Sequence, residues 1–141
     1  MEKHYKLVPH QKKFLLSDKP TVVLNCGRSS GKSFIASLIG ALRVKEGKKI
    51  LVWAQDYKAL AENLLSEITK RLDEMCVSYH YNQNAHKITC GKGVIYGLSY
   101  ENIEACRGFT EIGIAICDEI ALAPANFFGT MAFCMRGKGI S

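Results

Sequence analysis

One tryptophan and three prolines are all that the 141 residues hold of either type. No apolar run approaches the ~20 residues that a bilayer span requires; the longest, around Phe34 to Leu42, stops well short. The opening MEKHYKLVPHQKKF has no apolar core, so it does not read as a secretory signal. Cysteine is present but unpatterned. Cys26, Cys76, Cys90, Cys106, Cys117 and Cys134 never fall at C-x-x-C spacing, and several lie inside apolar runs. That argues against a zinc or dithiol-redox framework and for reduced thiols in a cytoplasmic protein without a membrane partner. Acidic residues are the scarcer charge, 13 against 19 basic ones, for a formal net charge of +6. The basic residues are spread out, with loose clusters at Lys3, Lys6, Lys12 and Lys13 and at Arg43, Lys45, Lys48 and Lys49. This permits an anionic partner without specifying one.

What is present alternates between two kinds of periodicity. Thr21 to Asn25 is a short β-branched run without alternation, as expected of a strand buried on both faces. From Ser33, Ile35, Leu38, Ile39 and Leu42 keep helical spacing and Gly47 follows as a stop signal. Lys49 to Ala54 reads as a second buried strand. Tyr57 to Met75 reads as an amphipathic helix with Leu60, Leu64, Ile68, Leu72 and Met75 on its apolar stripe. The period then drops to two, predicting a small antiparallel meander from Val77 to Leu98, with His80 and His86 as strand-edge residues. Ile112 to Cys117 is a third buried run, and a helix is expected from about Pro124. The sum is one α/β domain with a mostly parallel sheet flanked by helices.

Two motifs stand at the ends of buried strands. In TVVLNCGRSSGKSF, Gly31-Lys32-Ser33 closes a phosphate-loop (Walker A) pattern whose leading glycine is replaced by Cys26. The tripeptide alone is short; the strand before it and the helix after it supply the required setting. Loop amides of Gly27, Ser29, Ser30 and Gly31 would converge with the helix N-terminus on phosphate oxygens, and Lys32 would add a point charge. Ser33 would offer its hydroxyl to Mg²⁺. IGIAICDEI then supplies a Walker B form: Asp118 to hold the Mg²⁺ shell and Glu119 to orient and deprotonate water. A glutamate placed for water favours hydrolysis of ATP over phosphoryl transfer to a small molecule.

With both motifs in place, the chain resembles the N-terminal ATPase domain of tailed-phage terminase large subunits, a P-loop NTPase of the additional-strand class, from VPHQKKFL to about Arg136. The most specific likeness is CGRSSGKS, where Arg28 falls on the arginine that these proteins often carry inside Walker A. The resemblance implies that Gln11 reads the adenine edge and that Arg28 contacts the γ-phosphate and stabilises transition-state charge. Arg107, in the pair Arg107-Gly108 before Walker B, is a weaker candidate. It also implies nonspecific binding of double-stranded DNA, a portal protein and small terminase subunit as partners, and a homo-oligomer at full length.

In that family a coupling strand follows Walker B and lies between the P-loop and Walker B strands, and a nuclease domain comes after it. Residues 1–141 are therefore expected to be a partial P-loop ATPase domain, C-terminally incomplete and without the nuclease. Without the coupling strand, two buried strand edges should stay unpaired and invite association. A helicase-like translocase ATPase and a non-hydrolysing nucleotide-binding or assembly fragment are the alternatives that the same motifs allow.

Overall fold

A computed structural model describes residues 21–25, 30–109, 112–119 and 122–135, with residues 21–25, 30–33 and 132–135 described by their backbone alone. β1 (Thr21–Asn25) leads to α1 (Ser30–Lys45), which starts three residues before the apolar spacing predicts. The helix ends in a Schellman-type turn: Gly47 takes φ +93°, its N–H donates to the Val44 carbonyl (3.0 Å), and Lys48 N–H donates to Arg43 (3.1 Å). β2 (Lys49–Ala54) matches its expected bounds.

The next helical run is interrupted. α2 (Tyr57–Ala59) is capped by Asp56, whose Oδ1 accepts from Ala59 N–H at 2.7 Å; a π-helical segment (Leu60–Leu65) and then α3 (Ser66–Glu74) follow. The expected stripe of Leu60, Leu64, Ile68, Leu72 and Met75 is buried throughout. Within the π segment Leu60, Leu64 and Leu65 are buried, so the wider turn keeps its apolar side against the core.

The meander is β3 (His80–Asn82), β4 (Lys87–Cys90) and β5 (Gly93–Ser99), antiparallel in sequence order. Its first strand begins at His80 rather than Val77. His80 is an exposed strand residue, as expected, whereas His86 closes the turn at φ +53°. β5 also pairs in parallel with β2, so the meander is the margin of the main sheet. A 3-10 segment (Tyr100–Gly108) that the periodicity does not announce links β5 to β6 (Ile114–Asp118), and α4 (Phe127–Met135) follows.

The six strands run β1-β6-β2-β5-β4-β3, the first four mutually parallel. Strand pleating separates two cores. On one face Ile50, Val52, Ala54, Ile88, Ile95, Ile114 and Ile116 pack beneath α1, the π segment and α3. On the other, Leu51, Trp53, Leu98, Ala115 and Cys117 meet the 3-10 segment and α4 through Tyr100, Ile103, Phe127 and Met131.

The α/β sheet with its antiparallel margin is as expected, but the predicted gap beside the P-loop strand is not. β1 and β6 pair directly over five residues, from Thr21↔Ile114 to Asn25↔Asp118. Their backbone groups therefore satisfy each other, and the expectation of two unpaired inner edges at this position is corrected.

Candidate functional site

Two neighbouring parallel strands end side by side and send the chain in opposite directions. β1 stops at Asn25, in register with Asp118 at the end of β6, and strands so paired lie about 4.8 Å apart. After β1 the chain enters α1 on the aliphatic face; after β6 it reaches α4 on the aromatic face. A crevice at the carboxyl ends of strands that diverge in this way is where open α/β sheets bind ligands.

The residues expected to form the site fall around this point to differing degrees. Ser30, Gly31, Lys32 and Ser33 make the first turn of α1, whose N–H groups and dipole favour an anion. Asp118 is the last residue of β6 and Glu119 the first beyond it. Since Ile114 and Ile116 face the aliphatic core, pleating sends the Asp118 side chain toward the face that carries α1. Gln11, Gly27, Arg28 and Ser29 lie outside the described residues. Arg107 lies in the last turn of the 3-10 segment, exposed and ion-paired with Glu104 one turn earlier.

The turn after β6 is strained and electrostatically loaded. Glu119 takes φ +48°, the left-handed region that non-glycine residues seldom occupy, and its carbonyl accepts from Leu122 N–H at 2.9 Å. Burial raises the Asp118 carboxyl above its ordinary value, the neighbouring Glu119 charge raises it further, and a backbone hydrogen bond from Glu119 opposes both. A cation would relieve that strain on the carboxylate. Among the described residues no group of three histidine, cysteine or acidic side chains could hold a metal by itself. A single carboxylate is compatible with a hard cation of the Mg²⁺ kind, which keeps several waters and binds through one or two carboxylates together with phosphate oxygens.

Two side chains behind the turn carry no motif. The Tyr100 hydroxyl donates to the Asp118 carbonyl at 2.8 Å and also hydrogen-bonds the Cys117 thiol, whose pKa burial pushes up to about 12. The Tyr100 ring stacks on Trp53 (centroids 6.1 Å, planes 4° apart), and Phe127 meets both edge-on at 5.2 and 4.8 Å. Ser99, fully buried, donates to the Gln55 carbonyl (3.1 Å) and accepts Glu101 N–H (3.1 Å), tying the end of β5 to the end of β2. Tyr100's place directly after a buried strand is the only sequence signal for its role.

No family model and no curated protein matches the sequence. Solved structures do. A large terminase from a thermophilic bacteriophage superposes with TM-score 0.74 at 16% identity, over 94% of this chain and 37% of that one. The large-terminase ATPase domain of Thermus phage P74-26 gives TM-score 0.69 at 18% identity, over 95% and 60%. A second crystal form of the first protein, in complex with ADP, gives 0.68 at 17%, over 88% and 34%. The chain thus spans between about one third and three fifths of the proteins it matches. Its mostly parallel sheet, flanked by helices and diverging at β1 and β6, has the fold of the ATPase domain of phage large terminases.

Proposed function

We infer that this chain carries the ATP-hydrolysing site of a DNA-packaging motor of the phage large-terminase kind. The observation that carries the inference is the register Asn25↔Asp118, which sets the Asp118-Glu119 turn beside the strand that feeds the Gly31-Lys32-Ser33 helix start. The likeness to terminase ATPase domains, one of them an ADP complex, supports the same reading.

In this reading the amides around Gly27, Ser29, Ser30 and Gly31 receive the phosphates, and Lys32 neutralises charge on them. Ser33 and Asp118 hold Mg²⁺, which when bound offsets the charge of the β- and γ-phosphates. Glu119, one residue beyond the metal-holding carboxylate, orients the attacking water and accepts its proton. Arg28 stabilises charge that develops in the transition state, and Gln11 reads the adenine edge. The load would be double-stranded DNA, held through its phosphates by a chain of net charge +6, so that binding weakens steeply with salt. The portal protein and small terminase subunit would be its partners.

The test is Mg²⁺-dependent ATP binding and turnover by the purified chain, wild type beside Glu119→Gln. Turnover that falls about 10²–10⁴-fold in the variant while nucleotide stays bound is the expected result. Binding without turnover in both proteins would reduce the chain to a nucleotide-binding module, and no binding at all would overturn the reading.

A further inference from the structure

We propose that Tyr100 is a positioning residue for Glu119, acting through the peptide that joins Asp118 to Glu119. The proposal rests on the nucleotide-site reading above and adds to it a group that no phosphate-loop or Walker B pattern contains. The carbonyl that Tyr100 binds belongs to the same peptide plane as the Glu119 N–H. Turning that plane over changes ψ of Asp118 and φ of Glu119 together, and would let Glu119 leave φ +48° for the relaxed extended region. The flip would also break the 2.8 Å bond from Tyr100. A strained backbone persists only where its surroundings over-determine it. Here the second constraint, from the other side, is Leu122 N–H on the Glu119 carbonyl.

The donor itself is rigid. Tyr100 is 5% exposed, lies flat against Trp53, and is held edge-on by Phe127. Its backbone starts the 3-10 segment under the Ser99 cap. The phenol is shielded from bulk water and its bond to Asp118 is part-buried, so loss of the hydroxyl leaves the Asp118 carbonyl without this donor. The group acts at one remove: it fixes where the Glu119 carboxylate points, and leaves phosphate contacts to α1.

Tyr100→Phe removes the hydroxyl and keeps the ring. Two measurements are made on it. In nucleotide-free protein, amide hydrogen exchange at Leu122 should speed up about tenfold while the amides of β2 and β5 stay protected. In turnover, kcat for ATP should fall about tenfold with KM unchanged. In a Glu119→Gln background, the same substitution should cause no further loss. Unchanged exchange at Leu122, or additive rate losses in the double variant, overturns the proposal while leaving the nucleotide site standing. A wild-type chain that binds ATP but never turns it over overturns the hydrolytic reading and the catalytic half of this proposal with it, and a chain that binds no ATP at all overturns the nucleotide site itself.

Discussion

The two faces of the sheet are built from different materials. The α1 and α3 face is aliphatic, with Leu38, Ile39, Ile50, Val52, Ile68, Leu72 and Ile116 in one continuous cluster. The opposite face centres on Trp53, Tyr100 and Phe127 and joins a 3-10 segment to a short helix. Aliphatic packing is nondirectional, so it confers stability without dictating any single atom's position. The aromatic face adds directed contacts, and one of them ends on the carbonyl of Asp118. One face holds the fold together, while the other also sets the geometry of the turn after β6.

Substitutions that separate these roles range from severe to slight. The largest effect is expected at Gly93, where an added Cβ would fall inside contact distance of the Val44 carbonyl on α1. Since backbone on both sides must move, Gly93→Ala should cost more than about 4 kcal/mol, visible as loss of soluble protein or of a cooperative melt. Leu72→Ala, deep in the aliphatic cluster, should cost about 2–5 kcal/mol by chemical denaturation. It should leave the emission of Trp53, the chain's one tryptophan, unmoved in the folded protein. Phe127→Leu reverses that pattern: a loss of about 1–3 kcal/mol from its edge-on contacts with Trp53 and Tyr100, with a clear shift in Trp53 emission. If both variants moved the emission alike, the two faces would not be separate.

The smallest effect concerns Asp118. Its carboxyl has a raised pKa in the folded chain, so the folded state holds that proton more tightly than the unfolded state does. The sign follows: ionisation of Asp118 opposes folding, by nothing below its ordinary value of 3.8 and increasingly as pH rises through the folded pKa. In metal-free protein Asp118→Asn should therefore raise Tm slightly at pH 7, and melts repeated below pH 3.8 should show no gain. A drop in Tm at pH 7 would mean that the carboxylate is held by a partner which outweighs its burial.

The sequence foretold best what depends on periodicity. β1, β2 and the buried stripe from Leu60 to Met75 follow from runs of β-branched residues and from helical spacing, because apolar burial is the largest driving force and leaves the plainest pattern. The Asp118-Glu119 pair stood out in the sequence because it follows a buried run in a chain that also carries a phosphate-loop pattern. What stayed hidden depends on shape. The π segment at Leu60–Leu65 shifts helical phase within a run that still reads as amphipathic, and the 3-10 segment at Tyr100–Gly108 has no strong apolar period. The direct pairing of β1 with β6 was also missed, since neighbourhood in a parallel sheet is set by crossovers rather than by the strands themselves. The bond from Tyr100 to Asp118 joins a side chain to a backbone atom eighteen positions away, and no residue pattern encodes that.

The register of β1 with β6 also bears on how the molecule comes into being. Hairpins between β3, β4 and β5 join residues a few positions apart, whereas Asn25 meets Asp118 only after more than ninety intervening residues have been made. Contacts of such long sequence separation form late, because the loop must be closed before they return any energy. A nascent chain emerging from the ribosome would thus carry its helix start long before it carries the acidic turn. The two halves of the crevice can meet only once β6 has been made, so the site forms later than the helix start that supplies one side of it.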